Sequence, residues 1–155
     1  MAQKILRKAL DAGDGDEERI THWLGETHHN LSLAAIDTGS SDGMHDVKLW
    51  LDLLLDRSRF GRSPKAEALS LATAQMGFCH IKKDEVVDAM NSWKQSLATY
   101  RSIENPPDFN GTWPAISLAL LYALQGRPNE GEEMLKPTLD EHERILGKDD
   151  TTTTE

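Results

Sequence analysis

Six histidines, one cysteine and two acidic runs are the side chains that could do chemistry in this 155-residue chain. His22, His28 and His29 stand close together, and His45 follows. A metal centre needs ligands that converge on one point, and sequence signs of one are a Cys pair or a His-Glu-x-x-His spacing. Neither pattern occurs, so these histidines read as solvated linker residues. Glu141-His142-Glu143 falls on a helical pattern. Adjacent residues on a helix point apart, so these three do not form an acid–base pair. His80 shares a register with Tyr122 and reads as packed. Cys79 is alone, so no disulfide can form within the chain, and no neighbouring His or Arg pair would activate its thiol. There is no phosphate-binding glycine loop, no nucleophile elbow and no paired-carboxylate signature. The expectation is therefore no catalytic residue, no metal ligand set and no cofactor. The acidic runs Asp14 to Glu18 and Glu130 to Glu133 read as solvated faces and helix starts. What remains is apolar. Trp23, Trp50 and Trp93 are expected in a core, whereas Trp113, in a loop just before Pro114, is a candidate anchor for a partner if it is exposed.

Bulk properties narrow the classes further. The net charge is −9 and the pI about 5.1. Nucleic-acid binding needs clustered Lys and Arg, and anionic membrane surfaces attract them too, so neither partner is expected. No apolar run approaches the roughly 20 residues that span a bilayer. The N-terminus lacks a secretory apolar core and soon turns acidic, so a cytoplasmic protein is expected.

The elements that must position any site read as helices throughout. Gln3 to Ala12 has helical periodicity, and Asp11 to Asp16 should end it. Glu17 to Leu24 resumes as helix, with Gly25 placed to stop it. Asn30 to Thr38, with Leu31, Ala34 and Ala35 apolar, pairs across the Gly39–Gly43 turn with Met44 to Phe60. In that second helix Val47, Trp50, Leu51, Leu54 and Leu55 point inward. Ser63 and Pro64 open a helix to about Ile81, and Lys82-Lys83-Asp84 turns the chain, with Asp84 as candidate cap. Glu85 to about Ser102 carries the stripe Val86, Met90, Trp93, Leu97 and Tyr100. After the Pro-rich loop to Thr112, Pro114 starts a helix that Gly126 ends. Pro128 opens the last helix, Pro137 should kink or break it near Lys136, and Gly147 ends it. Residues 148–155 read as a mobile tail.

A fixed interval runs through these elements. Every 42 residues the columns Ala35/Gly77/Ala119, Val47/Ala89/Gly131, Thr38/His80/Tyr122 and Asp42/Asp84/Gly126 recur, with Leu51/Trp93/Leu135 and Leu55/Leu97/Leu139 beside them. Paired helices approach to about 8–10 Å only where small side chains sit at the crossing. The two small columns predict those crossings, and the bulky columns fill the space around them. One hairpin cannot bury its own apolar face, so neighbours must stack.

This pattern, with Leu121-Tyr122-Ala123-Leu124-Gln125-Gly126-Arg127 at a hairpin turn, resembles tetratricopeptide repeats of the longer, kinesin-light-chain-like kind found in fungal multi-repeat proteins. Leu24-Gly25-Glu26-Thr27-His28-His29 and Leu146-Gly147-Lys148-Asp149-Asp150-Thr151 resemble that family's linkers. Gly131, Ser96, Thr138 and Pro137 depart from its pattern, and residues 1–27 are out of phase. The resemblance implies an all-α superhelix of three to four stacked hairpins: an irregular helical segment at 1–27, then repeats at 28–61, 62–105 and 112–147. It also implies a concave groove lined by first helices. By position that groove takes His29, Ser32 and Ile36, then Leu71, Ala74, Phe78 and Lys82, then Trp113, Ile116 and Leu120. The Lys, Arg and Asn clamp that holds a peptide carboxylate in some members is not evident.

The expected role is a module that binds a peptide or protein segment. The alternative is self-association through the terminal hairpins, because Leu146 to Glu155 reads as a linker toward a further repeat, as in a piece of a longer array. An enzyme on a helical scaffold is the weakest expectation, for want of motifs.

Overall fold

A computed structural model describes residues 17–38, 43–56, 66–103 and 111–146, together with Lys4 and Lys8; the side chains of 17–20, 145 and 146 fall outside this description. The expected first helix, the Gly39–Asp42 turn, the Ser63-Pro64 start, most of the Pro-rich loop and the tail lie outside the described residues. The described chain is all-helical: α1 Glu17–Thr38, α2 Gly43–Asp56, α3 Ala66–Ile81, α4 Val86–Arg101, α5 Thr112–Leu124 and α6 Pro128–Leu146. α1 packs on α2, α3 on α4 and α5 on α6. Between these hairpins α2 meets α3 and α4 meets α5, and α1 also touches α3. Pairing is antiparallel: Ser70 meets Ser96 while Trp93 reaches back to Ala74, and Ala119 meets Gly131 while Thr112 meets His142.

The small columns lie at the crossings. A Cβ on Gly131 would come within 2.8 Å of the Ala119 carbonyl oxygen, and one on Gly77 within 2.3 Å of Trp93 Nε1. Gly43 faces Ala35, where an added Cβ would sit 3.1 Å from the alanine methyl. Val47, Ala89 and Leu118 are fully buried, as is most of the α4 stripe.

The 42-residue interval is also written in the turns. Asp84 has φ 60° and Gly126 φ 75°. The N–H groups of Lys83, Asp84 and Glu85 donate to the carbonyls of His80, Ile81 and His80. Those of Gln125, Gly126 and Arg127 donate to Tyr122, Ala123 and Tyr122. Both turns are Schellman ends with a left-handed residue, which glycine adopts without cost and aspartate tolerates.

Five expectations are corrected. Gly25 does not end a helix: α1 runs 22 residues through it, so the supposed Leu24–His29 linker is helical. The reason is a buried stripe, Thr21, Leu24, His28, Ser32 and Ala35, spaced 3, 4, 4 and 3. Burying Leu24 alone contributes about 2 kcal/mol, more than the roughly 1 kcal/mol that Gly costs relative to Ala. Asp84 does not cap α4; Glu85 holds that position with no side-chain cap. α5 begins at Thr112, not Pro114. Pro114 is its third residue, where the missing N–H would have had no partner anyway. α6 is not broken at Pro137, which lies exposed inside it. Trp23, Leu55 and Leu139 are more than half exposed rather than in the core.

Candidate functional site

The third hairpin holds an open cleft. α5 and α6 are drawn together at Ala119 and Gly131, and the close approach leaves Ile116, Ala119 and Leu120 on one wall facing Gly131, Leu135 and Leu139 on the other. The space is about 570 Å³. Its floor is apolar, and Glu132, Asp140 and Glu143 outnumber Lys136 among its charged lining residues. Leu120 is 60% exposed, Leu139 56% and Leu124, a turn beyond Leu120, 83%. Trp113, in the first turn of the same helix α5, is 68% exposed.

The ten predicted groove residues do not form one surface. Trp113, Leu120 and Lys82 are exposed, and Ile116 is half-buried in the cleft wall. Ser32 and Ala74 are buried, so neither can touch a partner. Ile36 packs on Met44, Val47 and Cys79, and Leu71 on Trp50, Leu54 and Ala72. Phe78 packs edge-on against Trp93 at 5.2 Å. Of these, Ile116 and Leu120 stand together on one wall of the cleft.

His29 and Ser32 belong to a buried polar inlay. Ser32 Oγ lies 2.7 Å from the His29 carbonyl oxygen and also meets the Gln75 side-chain oxygen. Gln75 Nε2 donates to His29 Nδ1 at 2.8 Å, which makes that nitrogen an acceptor. The imidazole lies 4.7 Å from the Trp50 ring. Burial pushes its pKa down, and Glu26 and the Gln75 bond only partly oppose this. A neutral imidazole used this way is a packing element. His28, also buried, pairs with Asp46 at 2.9 Å across α1 and α2. Neither contact was legible in spacing, because Thr, His and Ser do not mark an inward stripe.

His80, Glu85 and Asp88 bring ligand-type atoms within 4.8 Å of one another beside the Asp84 turn. His80 Nδ1 lies 2.6 Å from Glu85 Oε2, and this bond holds the Glu85 carboxyl below its usual range. Lys83 and Lys48 add positive charge near Glu85, which opposes a cation there. Burial raises the pKa of the Cys79 thiol, keeping it protonated and unreactive. No helix among the described residues is long and apolar enough to cross a membrane. Comparison with family models, curated proteins and solved structures finds no match.

Proposed function

We propose that this chain is a protein-interaction module, a tetratricopeptide-like stack of hairpins that holds a protein segment in the cleft between α5 and α6. The matched Schellman turns, the small residues at each crossing and the consecutive packing of hairpins support the stacked reading. The observation that carries the binding reading is the exposed pair Leu120 and Leu139 across an apolar cleft of about 570 Å³. An isolated exposed leucine means little, but leucines converging on a concave apolar surface mark a docking site. Each large side chain buried there would contribute about 1.5–3 kcal/mol, and Trp113 offers an aromatic anchor nearby. The three carboxylates in the cleft lining favour a segment without acidic flanks and limit non-specific association.

Selection from a displayed library of helical peptides tests this. Binders should be recovered by the native chain and lost against a Trp113→Ser, Leu120→Ser double variant of unchanged helicity. Both side chains are exposed, so the variant keeps its core. Binders that hold equally well to the variant, or no binders at all, would remove the cleft from the mechanism.

A further inference from the structure

We propose that the occupant of the α5–α6 cleft is helix α1 of a second copy of this chain, so that copies stack head to tail. The proposal rests on reading the cleft as a helix-docking surface, and it names the helix.

The 42-residue register relates the cleft to an interface already present inside the chain. Moving back 42 residues from Ile116, Ala119, Leu120, Gly131, Leu135 and Leu139 gives Ala74, Gly77, Phe78, Ala89, Trp93 and Leu97. In the second hairpin none of these six is exposed. Ala89, Trp93 and Leu97 share a core cluster with Ala115, Leu118 and Tyr122 of α5, and Phe78 packs against it. The chain therefore already builds this interface: one hairpin's face receives the first helix of the next. In the third hairpin Leu120 and Leu139 are exposed and Ile116 and Leu135 only half-buried, while Ala119 and Gly131 lie buried at the crossing beneath them.

The inserting half is also present. Moving back 84 residues from Ala115, Leu118 and Tyr122 gives Leu31, Ala34 and Thr38 on α1. All three are exposed. With Trp23 and Thr27 they form a stripe spaced 4, 4, 3 and 4, the period of one helix face. The hydroxyls of Thr27 and Thr38 donate to the Trp23 and Ala34 carbonyls, so covering the stripe strands neither donor. Each copy thus offers one receiving face and one inserting face. That is a heterologous contact, which grows into a ring or an open chain. Acidic groups flank both faces, Glu26 and Asp37 on α1 and Glu132, Asp140 and Glu143 at the cleft. Association should accordingly strengthen with salt, whereas a basic partner would be weakened by it.

The experiment is sedimentation of the full chain in a concentration series up to millimolar, at low and high salt. Two variants accompany it, with helicity checked by circular dichroism. Leu120→Glu with Leu139→Glu blocks the receiving face, and Trp23→Glu with Ala34→Glu blocks the inserting face. The native chain should pass beyond a dimer, each blocked variant alone should stay monomeric, and their equimolar mixture should form a one-to-one dimer and nothing larger. A native chain that stays monomeric throughout overturns the proposal; if helical peptides are still selected, the docking site survives with another protein as its occupant. Association that persists in either blocked variant, or a mixture that stays monomeric, also overturns it by placing the contact elsewhere.

Discussion

Replacing Gly77 by alanine separates packing from helix propensity, because the two predict opposite signs. Gly77 lies inside α3, where alanine is favoured by about 1 kcal/mol. Its added Cβ would sit 2.3 Å from Trp93 Nε1 and 2.5 Å from Cδ1, far inside contact. The indole cannot swing away easily. Trp93 is 2% exposed, donates to the Ala74 carbonyl at 3.1 Å and packs edge-on against Phe78. Overpacking of this kind costs about 1–3 kcal/mol, and losing the buried indole bond about as much again. Net of propensity, Gly77→Ala should destabilise by about 3 kcal/mol, a fall in Tm of roughly 6–12 °C for a chain of this size. The other hairpins supply the rescue. Where the second hairpin has Gly77 and Trp93, the first has Ala35 and Leu51 and the third Ala119 and Leu135. Trp93→Leu alone leaves a void and should cost about 2–4 kcal/mol. In the double variant the new methyl occupies vacated space, so it should be more stable than either single variant, with a coupling of at least about 1 kcal/mol. Urea unfolding followed by circular dichroism at 222 nm measures all four states. A neutral or stabilising Gly77→Ala, or a double variant whose loss equals the sum of the singles, would refute the reasoning.

Three further predictions concern the two turns and the polar inlay. Asp84→Gly should stabilise by about 0.5–1 kcal/mol and Gly126→Ala should destabilise by about 1 kcal/mol, because both positions are left-handed and no atom crowds Gly126; the same urea unfolding checks both. His29 has its pKa lowered by burial, so the unfolded chain binds the proton more readily. Its contribution is fully present above the unfolded value of about 6.5 and is lost as pH falls toward and through the folded value. The His29 ring resonance should titrate below 6.5 in an NMR pH series, and a midpoint at or above 6.5 would contradict the assigned burial.

Legibility followed apolar periodicity and failed where burial is polar. The Ala35/Gly77/Ala119 column marked all three crossings because small residues have a geometric consequence at helix contacts. α1 was misread as two helices because its inward stripe is largely Thr, His and Ser, whose burial depends on partners such as Asp46 and Gln75 that lie 18 and 43 residues further along. Position in a column also does not set exposure. Leu97 is 2% exposed while Leu139, in the same column, is 56% exposed. The difference is a neighbour: α5 packs against α4, and no further described helix packs against α6. Trp113 was legible as exposed because it stands just before a proline, and Leu120 only through the repeat resemblance. Leu124 and Leu139 were not, since their apolar type reads equally well as core.

The column Ser32/Ala74/Ile116 sets that open face apart from the covered ones. Ser32 is sealed into the junction of the first two hairpins through Gln75, and Ala74 is sealed in the second hairpin, where its carbonyl accepts from Trp93. In both of these hairpins the position holds a small residue that neighbours cover. At the cleft it holds isoleucine, half-buried and facing Leu120 and Leu139 around empty space. A face meant for water could carry a polar residue there at no cost to the fold. An enlarged apolar side chain instead, joined by two more leucines, leaves apolar area exposed that only an occupant can remove from water, at about 25 cal/mol for each Å². The polar inlay between the first two hairpins works the other way. Its hydrogen bonds add about 1 kcal/mol each but demand one alignment, because a displaced partner would leave a buried polar group unmatched. The first two hairpins thus meet through polar geometry and the second and third through a tight apolar core, while the cleft between α5 and α6 keeps exposed apolar side chains.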